Sequence, residues 1–246
     1  VGSNAIRLLI ATVFESDNKP PLFKKTSLVR VPIRLGADVF LSGAISEANA
    51  ARMQDAFQAF SLLIKTHKVV QFRACATSAM REATNGPEIA KRLEANTGIP
   101  VHIIDGKEEA RLIAGTNLQD LLQAHKVFLY VDVGGGSTEF TLYANGKIEA
   151  SMSFPLGTVR ILNNSVSEAV WKSVKKWIKT HTKPFSKIEV IGSGGNINSI
   201  YRHSGKKAGK PLSYFFLSNF YEKVRALTFE DRVYELQMNP DRADVI

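Results

Sequence analysis

The sequence predicts an α/β protein built from two related lobes. Segments rich in β-branched and apolar residues alternate with segments whose apolar residues recur at helical spacing, a pattern typical of sheets covered by helices. A strand-like run joined to a glycine-containing turn occurs at residues 1–13 and again, about half a chain later, at residues 131–140. The 246 residues, of which 44% are apolar, suffice for more than one packed core.

The predicted strands are runs of β-branched and apolar residues, and the predicted helices carry apolar positions three and four residues apart. The strands are residues 5–13, 23–33, 69–76, 101–104, 127–133, 139–143 and 188–191. The helices are residues 47–66, 87–96, 106–122 and 168–180, with Ser46 as the N-cap of the first and Pro87 at the start of the second. A second set of strands begins at residue 127, so we expect the lobes to be residues 1–121 and 122–246.

The segment VDVGGGSTEF, residues 131–140, predicts a phosphate-binding turn beside a metal site. Its successive glycines, Gly134, Gly135 and Gly136, permit backbone conformations closed to other residues and bring N–H groups up to an anion, and the hydroxyl of Ser137 adds a donor. Asp132 and Glu139 would repel a phosphate unless a cation lay between them. The pair therefore indicates Mg²⁺, which prefers oxygen ligands and bridges to substrate phosphates.

Two further glycine turns follow or precede strand-like runs. One is Gly2-Ser3-Asn4 at the start of the chain, and the other is GSGGN, residues 192–196, before a helical segment. Glycine turns at the ends of three strands on one basic chain predict a phosphate held between hairpin turns.

Two polar segments could supply further chemistry. Arg81 in ATSAMREATN offers a planar fork of donors that matches phosphate oxygens, although an arginine near a helix start also serves as a surface ion-pair member. Glu108 and Glu109 fall in the first turn of a predicted helix, where the helix dipole alone accounts for carboxylates.

The net charge of +9 favours polyanionic partners: nucleic acid, phosphorylated small molecules, an inorganic phosphate polymer or an anionic membrane face. The densest basic cluster is Lys206, Lys207 and Lys210. Aromatic residues are not interleaved with these lysines, so the cluster does not indicate a single-stranded nucleic acid. It is either a solvated loop or a surface that holds a long anion.

The sequence predicts a cytoplasmic protein that does not bind membranes. One cysteine, Cys75, excludes a disulfide framework. No run of about twenty apolar residues and no signal-peptide pattern occurs.

Seven segments, in order, resemble the motifs of the exopolyphosphatase and guanosine pentaphosphate phosphohydrolase (Ppx/GppA) phosphatase family. They are VGSNAIRL, ATSAMREATNG, DGKEEARLIAGT, VDVGGGSTEF, SFPLGTVRI, IGSGGNINSI and PDRADVI. The resemblance spans nearly the whole chain. It implies two actin-like (ribonuclease H-like) lobes with the active site in the cleft between them, in the short form that lacks the helical domain of longer relatives.

The resemblance also implies residue roles. Glu109 matches the carboxylate that activates the attacking water, Arg81 matches an arginine facing the substrate, and Asp132 and Glu139 match positions at the Mg²⁺ and phosphate site. The residues that match phosphate-holding turns are Gly2, Ser3, Asn4, Gly134, Gly135, Gly136, Ser137, Gly194, Gly195 and Asn196. Relatives carry an aspartate before the residue that matches Val1 and continue beyond Ile246, so we expect the second lobe to be incomplete at its C-terminus.

The leading expectation is a Mg²⁺-dependent exopolyphosphatase that releases orthophosphate from the end of inorganic polyphosphate. The 5′-phosphohydrolysis of guanosine pentaphosphate (pppGpp) is the close alternative, and a homodimer is one assembly left open. A sugar kinase or ATPase of the same fold and a nucleotide sensor without catalysis are the remaining hypotheses. The motifs EEARL and RADVI argue against the kinase, and intact Glu109, Asp132 and Glu139 argue against the sensor.

Overall fold

The computed structural model describes residues 1–114 and 126–246, which divide into two compact units, Val1–Asp105 and Gly106–Ile246. Both units contain strands and helices, so the predicted α/β class is confirmed. The predicted boundary between residues 121 and 122 lies outside the described residues and stays a prediction. The described part of the predicted helix 106–122 is α5, Gly106–Ala114, which packs on strands of the second unit.

The first unit consists of two strand pairs and four helices within its described residues. Its elements are β1 (Ile6–Ser16), β2 (Lys19–Val31), α1 (Leu35–Ser42), α2 (Glu47–Thr66), β3 (Ala74–Ala76), α3 (Ser78–Glu82), α4 (Gly86–Thr97) and β4 (Val101–Ile103). Strands β1 and β2 form an antiparallel hairpin, and β3 pairs with β4 in parallel. Buried residues of α2 and α4, including Met53, Phe57 and Leu93, pack with Ile6 of β1 into one core.

The second unit is built on a mixed four-stranded sheet. Its elements after α5 are β5 (Phe128–Val133), β6 (Thr138–Ala144), β7 (Lys147–Phe154), α6 (Thr158–Leu162), α7 (Glu168–Thr182), β8 (Glu189–Ser193), α8 (Gly195–His203), α9 (Tyr214–Ala226) and α10 (Phe229–Tyr234). The strand order is β7-β6-β5-β8, in which β5 and β8 are parallel and the other neighbours are antiparallel.

The two faces of this sheet differ in chemistry because side chains alternate along each strand. One face carries Leu129, Phe140 and Leu142, which form a core with residues of α7. Trp177 of α7 packs against Phe140 with a centroid separation of 6.0 Å. The opposite face is polar near the glycine turns. Helix α7 therefore covers only the apolar face, and the candidate site lies on the other one.

Most predicted long elements are confirmed, and the differences follow from exposure and length. Helix α2 has the predicted bounds, and Ser46 caps it by accepting a hydrogen bond from the amide of Asn49 at 3.3 Å. Of the predicted strand 69–76, only Ala74–Ala76 is a strand, and Val70 is 96% exposed. Strand β7 and helix α9 were not predicted from the sequence, because mostly exposed residues in β7 and apolar residues on both faces of α9 obscure the periodicity.

No helix in the described part of the chain is long and apolar enough to span a membrane.

The Ser46 cap is also tied to α1. The hydroxyl of Ser46 donates to Oδ2 of Asp38 at 2.6 Å. Burial raises the pKa of Asp38, but hydrogen bonds from Ser46 and Asn49 outweigh it and hold that pKa below its usual value. The folded state therefore favours the Asp38 carboxylate. This stabilisation is fully present above the pKa that Asp38 has in the unfolded chain, and it is lost as the pH falls through the lower pKa of the folded protein.

We expect Ser46→Ala to lower the free energy of unfolding by about 1 kcal/mol, because it removes the cap and the bond to Asp38. Urea denaturation followed by circular dichroism would measure this change. Ser167 occupies the same cap position in α7 without a side-chain cap hydrogen bond, so Ser167→Ala is the matched control and should change stability by less than about 0.5 kcal/mol. Equal losses in the two variants would contradict a capping role for Ser46.

Candidate active site

The site in the second unit is organised by one row of residues across the sheet. Ser153, Glu139, Asp132 and Ser193 are register partners on β7, β6, β5 and β8 respectively. Neighbours in register on adjacent strands point to the same face, with Cβ atoms about 4.5–5.5 Å apart in the antiparallel pairs. The strand register therefore brings the two predicted metal carboxylates side by side and places a serine on each flank.

The carboxylate of Glu139 is held inside the protein. Glu139 is 3% exposed, and Oε1 accepts a hydrogen bond from the hydroxyl of Ser153 at 2.8 Å. Asp132 lies against the third glycine turn, where Oδ1 is 3.1 Å from the position that a Cβ on Gly194 would take. Gly194 has φ +104°, and a Cβ there would be 2.6 Å from the carbonyl oxygen of Val133, so both its conformation and this close backbone approach require glycine.

Tyr130 supports the other end of the row. Burial raises the pKa of its phenol above the ordinary value of 10, a hydrogen bond with Ser193 opposes this rise, and the charge of Asp132 adds to it. The phenol is therefore neutral near pH 7 and acts as a hydrogen-bonding partner of Ser193. Neither Tyr130 nor Ser193 was singled out from the sequence, since their relation to Asp132 depends on register.

The turn at residues 134–136 has its carbonyl groups bonded to protein donors. The carbonyl oxygens of Gly134 and Gly135 accept from the amides of Thr158 and Val159, at 3.0 and 2.9 Å, and that of Gly136 accepts from Nε of the buried Arg160 at 2.6 Å. In a trans peptide the N–H of the next residue points opposite to the carbonyl. The amides of residues 135–137 are thus directed away from α6, which is the arrangement of an anion-binding turn.

The segment SFPLGTVRI, residues 153–161, supports this turn from behind. Thr138 donates from its hydroxyl to the carbonyl of Leu156. A Cβ on Gly157 would collide with the backbone of Gly135 and Gly136, so only glycine permits this approach. Gly157 and Arg160 are thus structural supports of the turn at residues 134–136, and neither was assigned a role from the sequence.

The third turn opens α8. Gly194 is the N-cap and Gly195 the first residue of this nine-residue helix, whose N-terminal amides and dipole favour an anion. The guanidinium of Arg242 lies directly over Gly195, where a Cβ would overlap it. Arg242 is part of the RADVI motif quoted above. Its position at the start of α8 was not predicted from the sequence, because it depends on the tertiary fold.

The side chain of Asn196 has a partner of its own. Its Nδ2 donates a hydrogen bond to the carbonyl of Val245, so the amide ties α8 to the RADVI segment. Its predicted role in phosphate binding stays a prediction, and the backbone of Asn196, in the first turn of α8, is the part suited to that role.

Glu109 lies in the first turn of α5, a helix that packs on β6 and β7. A Cβ on Gly106, the first residue of α5, would be 2.9 Å from Cβ of Ser153 and 3.2 Å from its hydroxyl oxygen. The helix therefore begins against the serine that holds Glu139. Oε2 of Glu109 is buried, and the neighbouring Glu108 shares the first turn.

The remaining predicted residues belong to the first unit. The hydroxyls of Ser3 and Ser78 form a buried hydrogen bond of 2.8 Å, and the amide of Gly2 donates to the carbonyl of Ala5 at 3.1 Å. Arg81, on α3, donates from Nη1 to the carbonyl of Ile104 at 2.7 Å. The Ser3–Ser78 bond thus joins the turn at residues 2–4 to the helix that carries Arg81.

The donor set suits a hard divalent cation. Among the described residues there is no group of three or more His, Cys, Asp or Glu side chains that could hold a metal ion by themselves. Two adjacent carboxylates beside anion-binding turns nevertheless match Mg²⁺, which takes one or two carboxylates and completes its shell with water and phosphate oxygens. Asp132 and Glu139 would hold it.

Comparisons with curated proteins, solved structures and family models agree on one family. The chain is 33% identical over 195 residues to a bifunctional 3-dehydroquinate synthase/phosphatase of Fusobacterium nucleatum, covering 74% of this chain and 29% of that protein. It is 32% identical over 166 residues to exopolyphosphatase 2 of Mycobacterium tuberculosis, covering 65% of this chain and 51% of that protein. The chain thus spans about half, or less, of the length of these relatives.

Solved structures give the same fold. An exopolyphosphatase from Cytophaga hutchinsonii aligns with a TM-score of 0.80 at 24% identity, covering 99% of this chain and 84% of that one. A model of the Ppx/GppA phosphatase family matches residues 12–246. Because this match covers nearly the whole sequence, the chain belongs to the Ppx/GppA phosphatase family.

Proposed function

We propose that this protein is a Mg²⁺-dependent exopolyphosphatase, which hydrolyses the terminal phosphoanhydride of inorganic polyphosphate and releases orthophosphate. The observation that carries the proposal is the register pairing of Asp132 and Glu139, with the turn at residues 134–137 following one strand and preceding the other. Two adjacent carboxylates that could hold a cation, next to backbone amides directed away from α6, are suited to binding a phosphate group. Relatives named exopolyphosphatases support the choice of substrate.

The phosphate groups would be bound by both units. In the second unit the amides of residues 135–137, the start of α8 and Arg242 supply positive potential. In the first unit the turn at residues 2–4 and Arg81 would bind further oxygens. Phosphoryl transfer requires mainly that such groups position the substrate and neutralise charge on the transferring oxygens.

Glu109 would act as the general base. The oxygen of a water molecule attacks the terminal phosphorus, the bond from that phosphorus to the bridging oxygen breaks, and Glu109 accepts a proton from the water. The products are orthophosphate and a chain one phosphate shorter. Bound Mg²⁺ would neutralise charge on the phosphate oxygens and so favour departure of the shortened chain. Glu109 is in the first turn of α5, and the burial of its Oε2 restricts the movement of the carboxylate.

We propose inorganic polyphosphate before pppGpp as the substrate because the protein is strongly basic. The net charge of +9 and the exposed lysines of the 204–213 loop suit a long anion without a base. The loop is structured, since the hydroxyl of Tyr201 donates to the carbonyls of Lys207 and Lys210 at 2.6 and 2.9 Å. Hydrolysis of pppGpp is the second candidate, because a terminal phosphoanhydride would meet the same residues in either substrate.

Phosphate release distinguishes the candidate functions. We expect Mg²⁺-dependent release of orthophosphate from long polyphosphate, with slower release from pppGpp and the slowest from ATP at matched terminal-phosphate concentrations. Removal of Mg²⁺ with EDTA should abolish release. Release from ATP alone would indicate a same-fold ATPase and would overturn the proposal. Tight binding of either anion without turnover would instead support a sensor.

Substitution of Glu109 tests the general base. We expect Glu109→Gln to lower kcat by about 10²–10⁴-fold, because the amide cannot accept the proton, while binding of polyphosphate remains measurable. Glu108→Gln is the matched control in the same helical turn and should change kcat by less than about threefold. Near-normal turnover by Glu109→Gln would remove Glu109 from this role.

Substitution of the loop lysines tests the binding of long chains. We expect Lys207→Gln/Lys210→Gln to raise KM for long polyphosphate but not for tripolyphosphate, which is too short to reach beyond the terminal site. The slope of log KM against log salt for long chains should also fall by about one per lysine. Lys175→Gln/Lys176→Gln, on the exposed side of α7, removes the same charge as a control. A uniform effect of both double variants would point to net charge instead of a chain-binding loop.

A further inference from the structure

Ser153 contacts two parts of the site that are far apart in sequence. Its hydroxyl donates to Oε1 of Glu139 at 2.8 Å, across the β6–β7 ladder. Its Cβ lies 2.9 Å from the position that a Cβ on Gly106 would occupy. One small side chain therefore touches both the buried carboxylate of the cation site and the first residue of the helix that carries Glu109.

The contact with Glu139 fixes the direction of a carboxylate. Glu139 is 3% exposed, so it cannot be oriented by bulk water, and it lies directly opposite the like charge of Asp132. Like charges in register repel, and each carboxylate needs a partner that holds it in place. The hydroxyl of Ser153 supplies a charge-assisted hydrogen bond that restrains the side-chain torsions of Glu139.

The contact with Gly106 sets the position of α5. Residues three apart in a helix lie on the same face, so Glu109 projects from the side of α5 on which Gly106 meets Ser153. A shift of α5 by the thickness of one methyl group would displace Glu109 by a similar distance. Misplacement of a catalytic group by about 1 Å can cost about 10²-fold in rate.

We propose that Ser153 is a positioning residue that acts on both the cation site and the general base. Its hydroxyl orients Glu139 for the cation, and its contact with Gly106 sets the position of Glu109 on α5. The inference rests on the proposed function for the roles of Glu139 and Glu109. The contacts themselves involve residues of the second unit alone. The hydroxyl of Ser153 contacts Glu139 and its Cβ faces Gly106, so substitution can separate the two effects.

Ser151 provides a matched control. It lies two residues earlier on the same face of β7, and its hydroxyl pairs with the hydroxyl of Thr141 at 3.0 Å. Ser151→Ala thus removes the same group from the same strand, with a hydroxyl partner in place of a carboxylate. A merely structural role of β7 serines would make the two alanine variants alike.

The first test measures cation binding directly, with Mn²⁺ followed by electron paramagnetic resonance. We expect Ser153→Ala to weaken Mn²⁺ binding by about 10- to 100-fold, the effect typical of losing a partner that orients a ligand, and Ser151→Ala to leave it within about twofold. At saturating Mg²⁺ the kcat of Ser153→Ala should approach that of the unaltered protein, because its Cβ still supports Gly106. Equal Mn²⁺ affinities of the two alanine variants would overturn the orienting role.

The second test measures the contact with α5. We expect Gly106→Ala to lower kcat at saturating Mg²⁺ by at least tenfold, because its methyl group would press on Ser153 and displace the start of α5. Adding Ser153→Gly removes both atoms that the methyl group meets, so the double variant at saturating Mg²⁺ should regain kcat relative to Gly106→Ala alone. Strictly additive losses would overturn the coupling. Circular dichroism would verify that each variant is folded.

The outcomes separate this inference from the proposed function. If the unaltered protein releases no phosphate from polyphosphate, pppGpp or ATP, the proposed function fails, yet Mn²⁺ affinities still decide whether Ser153 orients Glu139. If the unaltered protein turns over polyphosphate and Ser153→Ala binds Mn²⁺ normally, the function stands and the orienting role fails.

Discussion

The register of β5 against β6 is the constraint on which the site depends. It sets Asp132 opposite Glu139, and a shift by one residue would turn one of the two carboxylates to the apolar face that packs on α7. Two carboxylates in register repel each other, so each needs neighbours that hold it in place. Ser153 holds Glu139, and Gly194 lies against Asp132.

Backbone packing gives the phosphate turn its shape. Gly157 approaches Gly135 so closely that no side chain fits between them, and the amides of α6 and the side chain of Arg160 bond the carbonyls of the turn. These bonds determine which way the peptide planes face. The capacity to bind an anion therefore comes from residues 157–160 as much as from the glycines themselves. The buried Arg160 has a structural task here, which accounts for its position far from solvent.

The chemistry of the second unit is more complete than that of the first. Within the described residues of the second unit the fold brings together the buried Glu139 and the half-buried Asp132, a glycine turn, a helix N-terminus with an arginine over it, and the helix of Glu109. The first unit contributes a turn braced by the Ser3–Ser78 bond and the guanidinium of Arg81.

The sequence by itself determined the α/β class, the long helices α2, α4 and α7, and the family. These follow from local periodicity, glycine runs and motif order, which are properties of neighbouring residues. The partners of those residues depended on contacts distant in sequence. Ser153, which bonds to Glu139, lies on β7, a strand that was not predicted, and Arg242 lies over Gly195 although the two are 47 positions apart. Only the tertiary structure could decide them, because strand register and close backbone approach bring together residues that no short pattern connects.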